Sequence, residues 1–165
     1  MSLRRQSIKE INNLIKVSHG SGQQDLINWM NQNSVFGILW DPRKTHLELV
    51  KQSKDIFNIL AQKRLLTPEL LEAFWNLGTD RAYKSEVFQI LRSSSALSPN
   101  DLTWILGKIE ATDPQLIGKE EFEVLAYNPK FKSRVGDVGQ RSGAYFWRVL
   151  ENPSDYKPDT VKACV

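Results

Sequence analysis

The 165-residue sequence predicts an all-α protein, either a closed helical bundle or an α-α superhelix of stacked helical pairs, and we favour the superhelix. Apolar residues recur every three or four positions, which is typical of one helix face, and no alternation of period two lasts long enough to define a strand. Two helices also begin alike, as "LTPELL" and "LSPNDL". Their prolines are 31 positions apart (99 − 68 = 31), close to the period of known helical-pair repeats.

The first helices follow from apolar spacing and from the residues that end each run. A helix is predicted at residues 2–17, ended by Gly20, and a second short helix around residues 26–30. The apolar patch "VFGILW" at residues 35–40 fits a buried helical turn or a short strand, and we favour the helix. The longest helix is predicted from Thr45 to about Lys63.

The two proline starts predict capped helices. The hydroxyl of Thr67 can accept from the free N–H groups of a helix start, and the proline after it loses nothing by lacking an N–H. This helix is expected to end at Gly78, and the next to span residues 80–93. Ser98 begins another helix in the same way, with Asp101 placed as the acidic partner of a capping box.

The second half of the chain carries weaker helix signals. Helices are predicted at residues 120–127 and 143–150, separated by the irregular stretch "NPKFKSRVGDVGQRSG". Residues 151–165 are expected to form a loop and then an incomplete terminal helix. Residues 1–165 are thus predicted to be a single domain of stacked helices.

Composition and charge disfavour nucleic-acid-binding and membrane-spanning proteins, although an α-solenoid that binds RNA stays a third hypothesis. The net charge is only +3, and the basic residues are spread along the chain, whereas nucleic-acid binders gather them on one face. An α-solenoid that reads RNA would repeat the same side-chain pairs in each unit, and "PELLEAF" and "PNDLTWI" do not. No apolar run is long enough to span a membrane, and "MSLRRQSIKE" lacks the apolar core of a signal peptide.

The single cysteine, Cys164, allows neither an intrachain disulfide nor a thiolate metal cluster, which fits a reducing compartment. We therefore expect a monomeric cytoplasmic chain, with the nucleus as a second possible location. Cys164 could in principle pair with His19 or His46 as a nucleophile, but a terminal thiol lacks the electropositive pocket that such chemistry needs. The two histidines lie in different segments, so no metal site is predicted.

Two further patterns have structural explanations. The glycines Gly136, Gly139 and Gly143 lack the glycine-lysine-serine ending of a phosphate loop, so we predict a flexible connection between helices. Pairs of carboxylates, Glu69 with Glu72 and Glu120 with Glu121, lie near helix starts and are expected to act as caps. No catalytic residue and no cofactor is predicted.

The tryptophans and one serine supply the candidate binding and modification residues. Trp75 and Trp147 are expected in the core. Trp104 can diverge from the inner face of its helix, so it is the candidate protein-binding residue, as an aromatic anchor for a partner. Ser7 follows paired arginines in "RRQS", which makes it the candidate site of phosphorylation by a basic-directed kinase.

The order of several segments resembles the long amino-terminal region of the fat facets-type ubiquitin-specific proteases. These segments are "RRQSIKEINNLI", "INWMNQNSVFGILWD", "KQSKDIFNILAQKRLLTPELLEAFW" and "ALSPNDLTWIL". The resemblance extends from Leu3 to Leu106 and more loosely to "AYFWRVLENP". The positions that correspond are Asn12, Asn13, Trp29, Asn33, Leu66, Thr67, Trp75, Ser98, Pro99 and Leu102.

This resemblance implies an armadillo- or HEAT-like scaffold outside the catalytic domain of a very large deubiquitinating thiol protease. The chain lacks the cysteine and histidine arrangement of that catalytic domain, so the resemblance implies a non-catalytic segment. Such a segment would bind or position protein partners or ubiquitinated substrates. The alternative is a free-standing α-helical adaptor that binds peptides or a small GTPase.

Overall fold

The structure is a computed structural model that describes residues 2–18, 20–133 and 136–165, with side chains from Gln6 onward. Every regular element in these residues is helical, which confirms the all-α class. Contacts divide the chain into two compact units, Met1–Val87 and Phe88–Val165. A single domain over residues 1–165 stays a prediction. No helix in the described part of the chain combines the length and apolar character needed to cross a bilayer.

The described residues of the first unit form five helices before residue 84. They are α1 (Ser2–Val17), α2 (Ser21–Gln32), α3 (Val35–Leu39), α4 (Leu47–Gln62) and α5 (Pro68–Thr79). α1 packs against α2 and α4, and α3 packs against α2 and α4. The side-chain amide of Asn12 donates to the backbone carbonyl of Gln52 at 2.7 Å, which links α1 to α4.

An aromatic cluster occupies the core of this first unit. Phe57 of α4 stacks on Phe74 of α5, with ring centroids 4.5 Å apart. Trp40, just after α3, meets the edge of Phe74 at 5.0 Å, and Phe36 lies 5.2 Å from Trp40. Aromatic pairs at these separations are stabilised beyond the burial of their apolar area. The patch "VFGILW" is therefore helical, as predicted, because both of its aromatic rings are buried in this cluster.

The remaining elements are α6 (Lys84–Ser93), which spans the division between the two units, and six helices after it. These six are α7 (Pro99–Ala111), α8 (Lys119–Tyr127), α9 (Pro129–Lys132), α10 (Gly136–Glu151), a 3-10 helix (Pro153–Asp155) and α11 (Pro158–Lys162). α10 packs against α7 and α9, and α11 packs against α8. Arg141 of α10 pairs with Glu110 of α7 at 2.6 Å.

The two predicted helix starts have the caps that the sequence indicates. The hydroxyl of Thr67 accepts from the backbone N–H of Leu70 at 3.3 Å. The hydroxyl of Ser98 accepts from the N–H of Asp101, whose carboxylate accepts in return from the N–H of Ser98 at 2.7 Å. This reciprocal capping box confirms the prediction for α7, and such caps stabilise a helix by about 1 kcal/mol.

Two predicted elements differ from the structure. The helix predicted at residues 80–93 begins only at Lys84, because the Asp80 carboxylate accepts from the N–H of Ala82 and closes a turn before it. The stretch predicted to be irregular, residues 128–143, contains α9 and the first half of α10. Residues 151–165 form the 3-10 helix and α11 with short connections.

Candidate protein-binding surface

The residues that could form a nucleophilic pair have other roles. His46 caps α4, and its Nδ1 accepts from the backbone N–H of Glu48 at 3.4 Å. The Cys164 thiol donates to the carbonyl of Thr160 at 3.6 Å, and burial raises the pKa of this thiol to about 11. A catalytic thiolate needs a lowered pKa, whereas the pKa of the Cys164 thiol is raised. His19 lies outside the described residues.

Cys164 should therefore react slowly with thiol reagents near neutral pH. A pKa of about 11 against the ordinary 9.0 reduces the thiolate fraction, and so the alkylation rate, about 100-fold. The rate of iodoacetamide alkylation, followed by mass spectrometry, should rise about tenfold per pH unit through the alkaline range. In concentrated urea the same single cysteine should react at the ordinary rate. Equal rates in the folded and unfolded chain at neutral pH would contradict the buried thiol.

One member of each carboxylate pair has a structural contact at a helix start. The Thr67 hydroxyl donates to Glu69 and lowers the pKa of that carboxyl, which keeps it ionised at the start of α5. Glu121 is buried and accepts from the N–H of Gly118 at 3.1 Å, so it caps α8. Among the described residues, no group of three or more histidine, cysteine, aspartate or glutamate side chains could hold a metal ion.

The glycine stretch predicted to be a flexible connection lies inside α10, so that prediction is wrong. Gly136 begins the helix with a positive φ of 78°, which favours glycine. Gly139 is buried within the helix together with Ser142, Tyr145 and Val149. The burial of this stripe outweighs the low helix propensity of glycine. These residues form a helix start and a packing face, which leaves no loop to surround a phosphate.

A concave surface in the second unit surrounds Tyr127. We call it the Tyr127 groove, and it consists of two adjoining cavities that share Tyr127 and Ala163 in their walls. The first has a volume of about 260 Å³ and is lined mainly by Leu125, Tyr127, Phe131, Lys132, Phe146 and Cys164. The second, of about 430 Å³, is lined by Lys119, Glu123, Tyr127, Asp159, Lys162 and Ala163. Tyr127 itself is 57 % exposed.

Asn128 positions the α9 wall of this groove. Its amide nitrogen donates to the backbone carbonyls of Leu91 and Ser94, both at 2.8 Å, and its amide oxygen accepts from the N–H of Lys130. Asn128 therefore starts α9 while satisfying carbonyls at the end of α6. The corner between α8 and α9 is held from both sides, which fixes the positions of Phe131 and Lys132.

The carboxyl-terminal segment forms the opposite wall. Thr160 of α11 is fully buried, and its hydroxyl donates to the carbonyl of Ile117 at 3.0 Å. The side-chain amide of Gln115 donates to the carbonyl of Asp155 at 2.8 Å. Tyr156 meets the edge of Tyr145 at 6.3 Å between ring centroids. These contacts hold the segment around α11 in place, and α11 itself packs against α8, so the groove has a wall on each side.

The charges around the groove are paired except on α9. Glu123 accepts from Arg92 at 2.6 Å and lies 3.5 Å from the Lys119 ammonium. Lys162 lies 3.8 Å from Asp159. Among the described residues, no carboxylate lies within ion-pair distance of Lys132, which lines the first cavity. The groove therefore combines a partly apolar cavity with a lysine that has no ion-pair partner among the described residues.

A separate apolar patch lies on the outer face of α10. Trp147 is 66 % exposed and Leu150 is 39 % exposed, one helical turn apart. The prediction that Trp147 belongs to the core is wrong, because Tyr145 and Val149 occupy the inner face. Trp147 lies two residues after Tyr145, about 200° around the helix. Exposed aromatic residues of this size are typical of binding surfaces.

The two candidate residues predicted from the sequence, Trp104 and Ser7, lie elsewhere. Trp104 of α7 is half-buried, and the Lys108 ammonium lies 5.0 Å from the centroid of its ring. This cation–π contact covers one side of the indole. Ser7 is exposed on α1. Neither residue lines the Tyr127 groove, and their roles in protein binding and phosphorylation stay predictions. Trp75 is buried, as predicted.

Sequence reasoning missed Tyr127 and Lys132, although one signal for α9 was present. Asn128-Pro129 has the same form as Thr67-Pro68 and Ser98-Pro99, a capping side chain followed by proline. That pattern predicts a helix start at Pro129, and hence a turn that exposes Lys132. The cavities themselves depend on how four segments pack and leave no mark in the local sequence.

The fold and the groove define an all-helical protein with an apolar, lysine-lined cleft. No protein-family model, no curated protein and no solved structure matches the chain. Its function is therefore inferred from its own residues and their geometry.

Proposed function

We propose that the chain is a non-catalytic helical scaffold that binds protein partners, as one segment of a large deubiquitinating enzyme. The observation that supports protein binding best is the Tyr127 groove, an exposed aromatic residue above an apolar cavity with firmly held walls. Aromatic residues at such positions dominate the free energy of protein association. The carboxylates of the groove, Glu123 and Asp159, pair with basic side chains, and the raised pKa of Cys164 disfavours covalent chemistry.

The deubiquitinating parent is proposed from the order of "RRQSIKEINNLI" and the segments that follow it. In that setting the helices would stack as armadillo- or HEAT-like pairs, and the chain would position substrates for a catalytic domain elsewhere. The alternative, a free-standing adaptor, uses the same kind of surface. The reading frame of the parent gene distinguishes the two, since the scaffold needs downstream cysteine and histidine segments of a thiol protease and the adaptor does not.

Site-specific photo-crosslinking tests the binding surface. A photoreactive phenylalanine derivative is placed at Tyr127 in one variant and at Gln140, exposed on α10, in a control. Illumination in cells should give adducts above the mass of the chain at Tyr127 and not at Gln140, because only Tyr127 lines the groove. The adducts are detected by immunoblotting and identified by mass spectrometry.

A third variant, at Trp147, reports on the outer patch of α10. The proposal predicts a protein adduct at Tyr127 whatever happens at this position. Absence of adducts at Tyr127, or the same adducts at Tyr127 and Gln140, would show that the groove does not bind a protein partner.

A further inference from the structure

We infer that the Tyr127 groove binds an acidic peptide segment of a partner protein. One large apolar side chain of the peptide occupies the first cavity, and a peptide carboxylate pairs with the Lys132 ammonium. This inference rests on the proposed protein-binding function and adds the chemistry of the partner to it.

The first cavity has the size of a pocket for one side chain. Its volume of about 260 Å³ lies below the roughly 300–1,000 Å³ of sites that enclose whole small molecules. Leu125, Phe131 and Phe146 supply apolar walls, and Phe146 is held by an edge-to-face contact with Phe122 at 4.4 Å. A leucine or phenylalanine side chain therefore fits the chemistry of this cavity, since burial there removes apolar surface from water.

The charges around the groove favour an acidic peptide. The side chains of the groove and its ion pairs include four cations, Arg92, Lys119, Lys132 and Lys162, and two carboxylates, Glu123 and Asp159, so these side-chain charges sum to +2 (4 − 2). Lys132 is the cation in this set that no carboxylate of the described residues compensates. A carboxylate next to the apolar anchor of the peptide completes this arrangement, whereas a basic peptide would meet uncompensated positive charge.

A peptide fits this surface better than RNA does, although both are anionic. RNA binding needs several cations free to neutralise successive phosphates, and here Arg92, Lys119 and Lys162 already pair with carboxylates. One unpaired lysine beside one apolar cavity matches a single carboxylate and a single side chain.

Selection from a random peptide library displayed on phage tests the inference with the full chain as bait. The selected peptides should share a large apolar residue and at least one aspartate or glutamate near it. Selected peptides without acidic residues, no selected binder, or tighter binding of a single-stranded RNA oligomer at the same groove would overturn the inference.

Charge reversal then locates the carboxylate. With one selected peptide carrying a fluorophore, Lys132→Glu should weaken binding about 3- to 10-fold, in line with a partly exposed ion pair that becomes a repulsion. Lys130→Glu makes the same charge change on α9 without altering the cavity lining, and should weaken binding less than about 2-fold. Equal losses in the two variants would indicate unspecific attraction and would overturn the site.

Cys164 provides an independent report from the cavity, because it lines the wall and is the single cysteine. Saturating peptide should slow its alkylation several-fold in the wild-type chain and in Lys130→Glu. Unchanged alkylation would show that the peptide binds elsewhere. If photo-crosslinks form at Tyr127 but the selected peptides are not acidic, the inference of an acidic peptide is wrong and the protein-binding function stands. If the crosslinks are also absent, the proposed protein-binding function is wrong as well.

Discussion

Replacing Phe74 by alanine should lower the free energy of unfolding by about 3 to 5 kcal/mol, the usual cost of deleting a fully buried phenylalanine. The Phe74 side chain has no exposed surface and contacts both Phe57 and Trp40, at centroid distances of 4.5 Å and 5.0 Å. Its removal leaves a cavity beside the two remaining rings, whose centroids lie 6.3 Å apart. Urea unfolding followed by far-ultraviolet circular dichroism measures the change.

Two further variants make this result interpretable. Phe74→Leu keeps most of the volume and should cost roughly 1 to 2 kcal/mol, so a graded series remains measurable if the alanine variant does not fold. Trp29→Ala removes an aromatic residue that is about half exposed, on α2 of the same unit, and should cost much less. A loss below about 1 kcal/mol for Phe74→Ala would show that this cluster does not hold the unit together.

The sequence predicted best those features that depend on a few neighbouring residues. A helix start needs a side chain that accepts from free N–H groups, and Thr67, Ser98 and Asp101 can do so wherever the rest of the chain goes. The spacing of apolar residues likewise predicted α1 and α4 within a few residues of their observed bounds. Both kinds of signal are local, so packing with distant segments does not alter them.

Features decided by distant contacts were predicted poorly. The glycines before Ser142 favour a loop by their intrinsic propensity, which costs a helix about 1 kcal/mol each. That preference loses to the burial of Tyr145 and Val149 on the same face of α10. Trp147 was assigned to the core because of its apolar neighbours, yet a position two residues from Tyr145 must face away from the side on which Tyr145 is buried.

The candidate binding groove, like the features decided by distant contacts, could not be predicted from local sequence. Its walls come from the adjacent helices α8 and α9, from α10 and from the segment after α11, so distant parts of the chain meet there. The local sequence around Tyr127 and Lys132 is ordinary. Packing places the exposed Tyr127 ring at the edge of the groove and places Lys132 beside the first cavity without an ion-pair partner among the described residues. Trp104 was the candidate protein-binding residue because it can diverge from the inner face of α7. In the structure its ring is half-buried, and Lys108 covers one side of it.

Replacing Asn128 by alanine should lower the free energy of unfolding by about 2 to 4 kcal/mol. The Asn128 side chain is fully buried and makes three hydrogen bonds, two to carbonyls at the end of α6 and one from the N–H of Lys130. Its loss leaves these backbone groups without partners, at about 1 to 3 kcal/mol for each that stays buried. Asn152→Ala is the matched control, since Asn152 is exposed and donates locally to the carbonyl of Arg148; it should change stability by less than about 0.5 kcal/mol.

Asn128→Asp separates the donor role from the shape of the side chain. An ionised aspartate can still accept from Lys130, but it directs negative charge at the two carbonyls that Asn128 now satisfies. Folding should therefore raise the pKa of the introduced carboxyl above its unfolded value. The variant is then most stable, relative to wild type, at pH below the unfolded pKa, where the neutral acid can donate, and it loses stability as pH rises through the folded pKa.

Urea unfolding of Asn128→Asp at acidic and neutral pH, each compared with wild type at the same pH, measures this difference. A larger deficit at neutral pH is expected if the two donated bonds hold the corner between α8 and α9. Equal deficits at both pH values would mean that the carbonyls of Leu91 and Ser94 do not depend on Asn128. The same corner carries Phe131 and Lys132, so the variant should also weaken binding of the peptide at the Tyr127 groove, and it should do so more at neutral pH than at acidic pH.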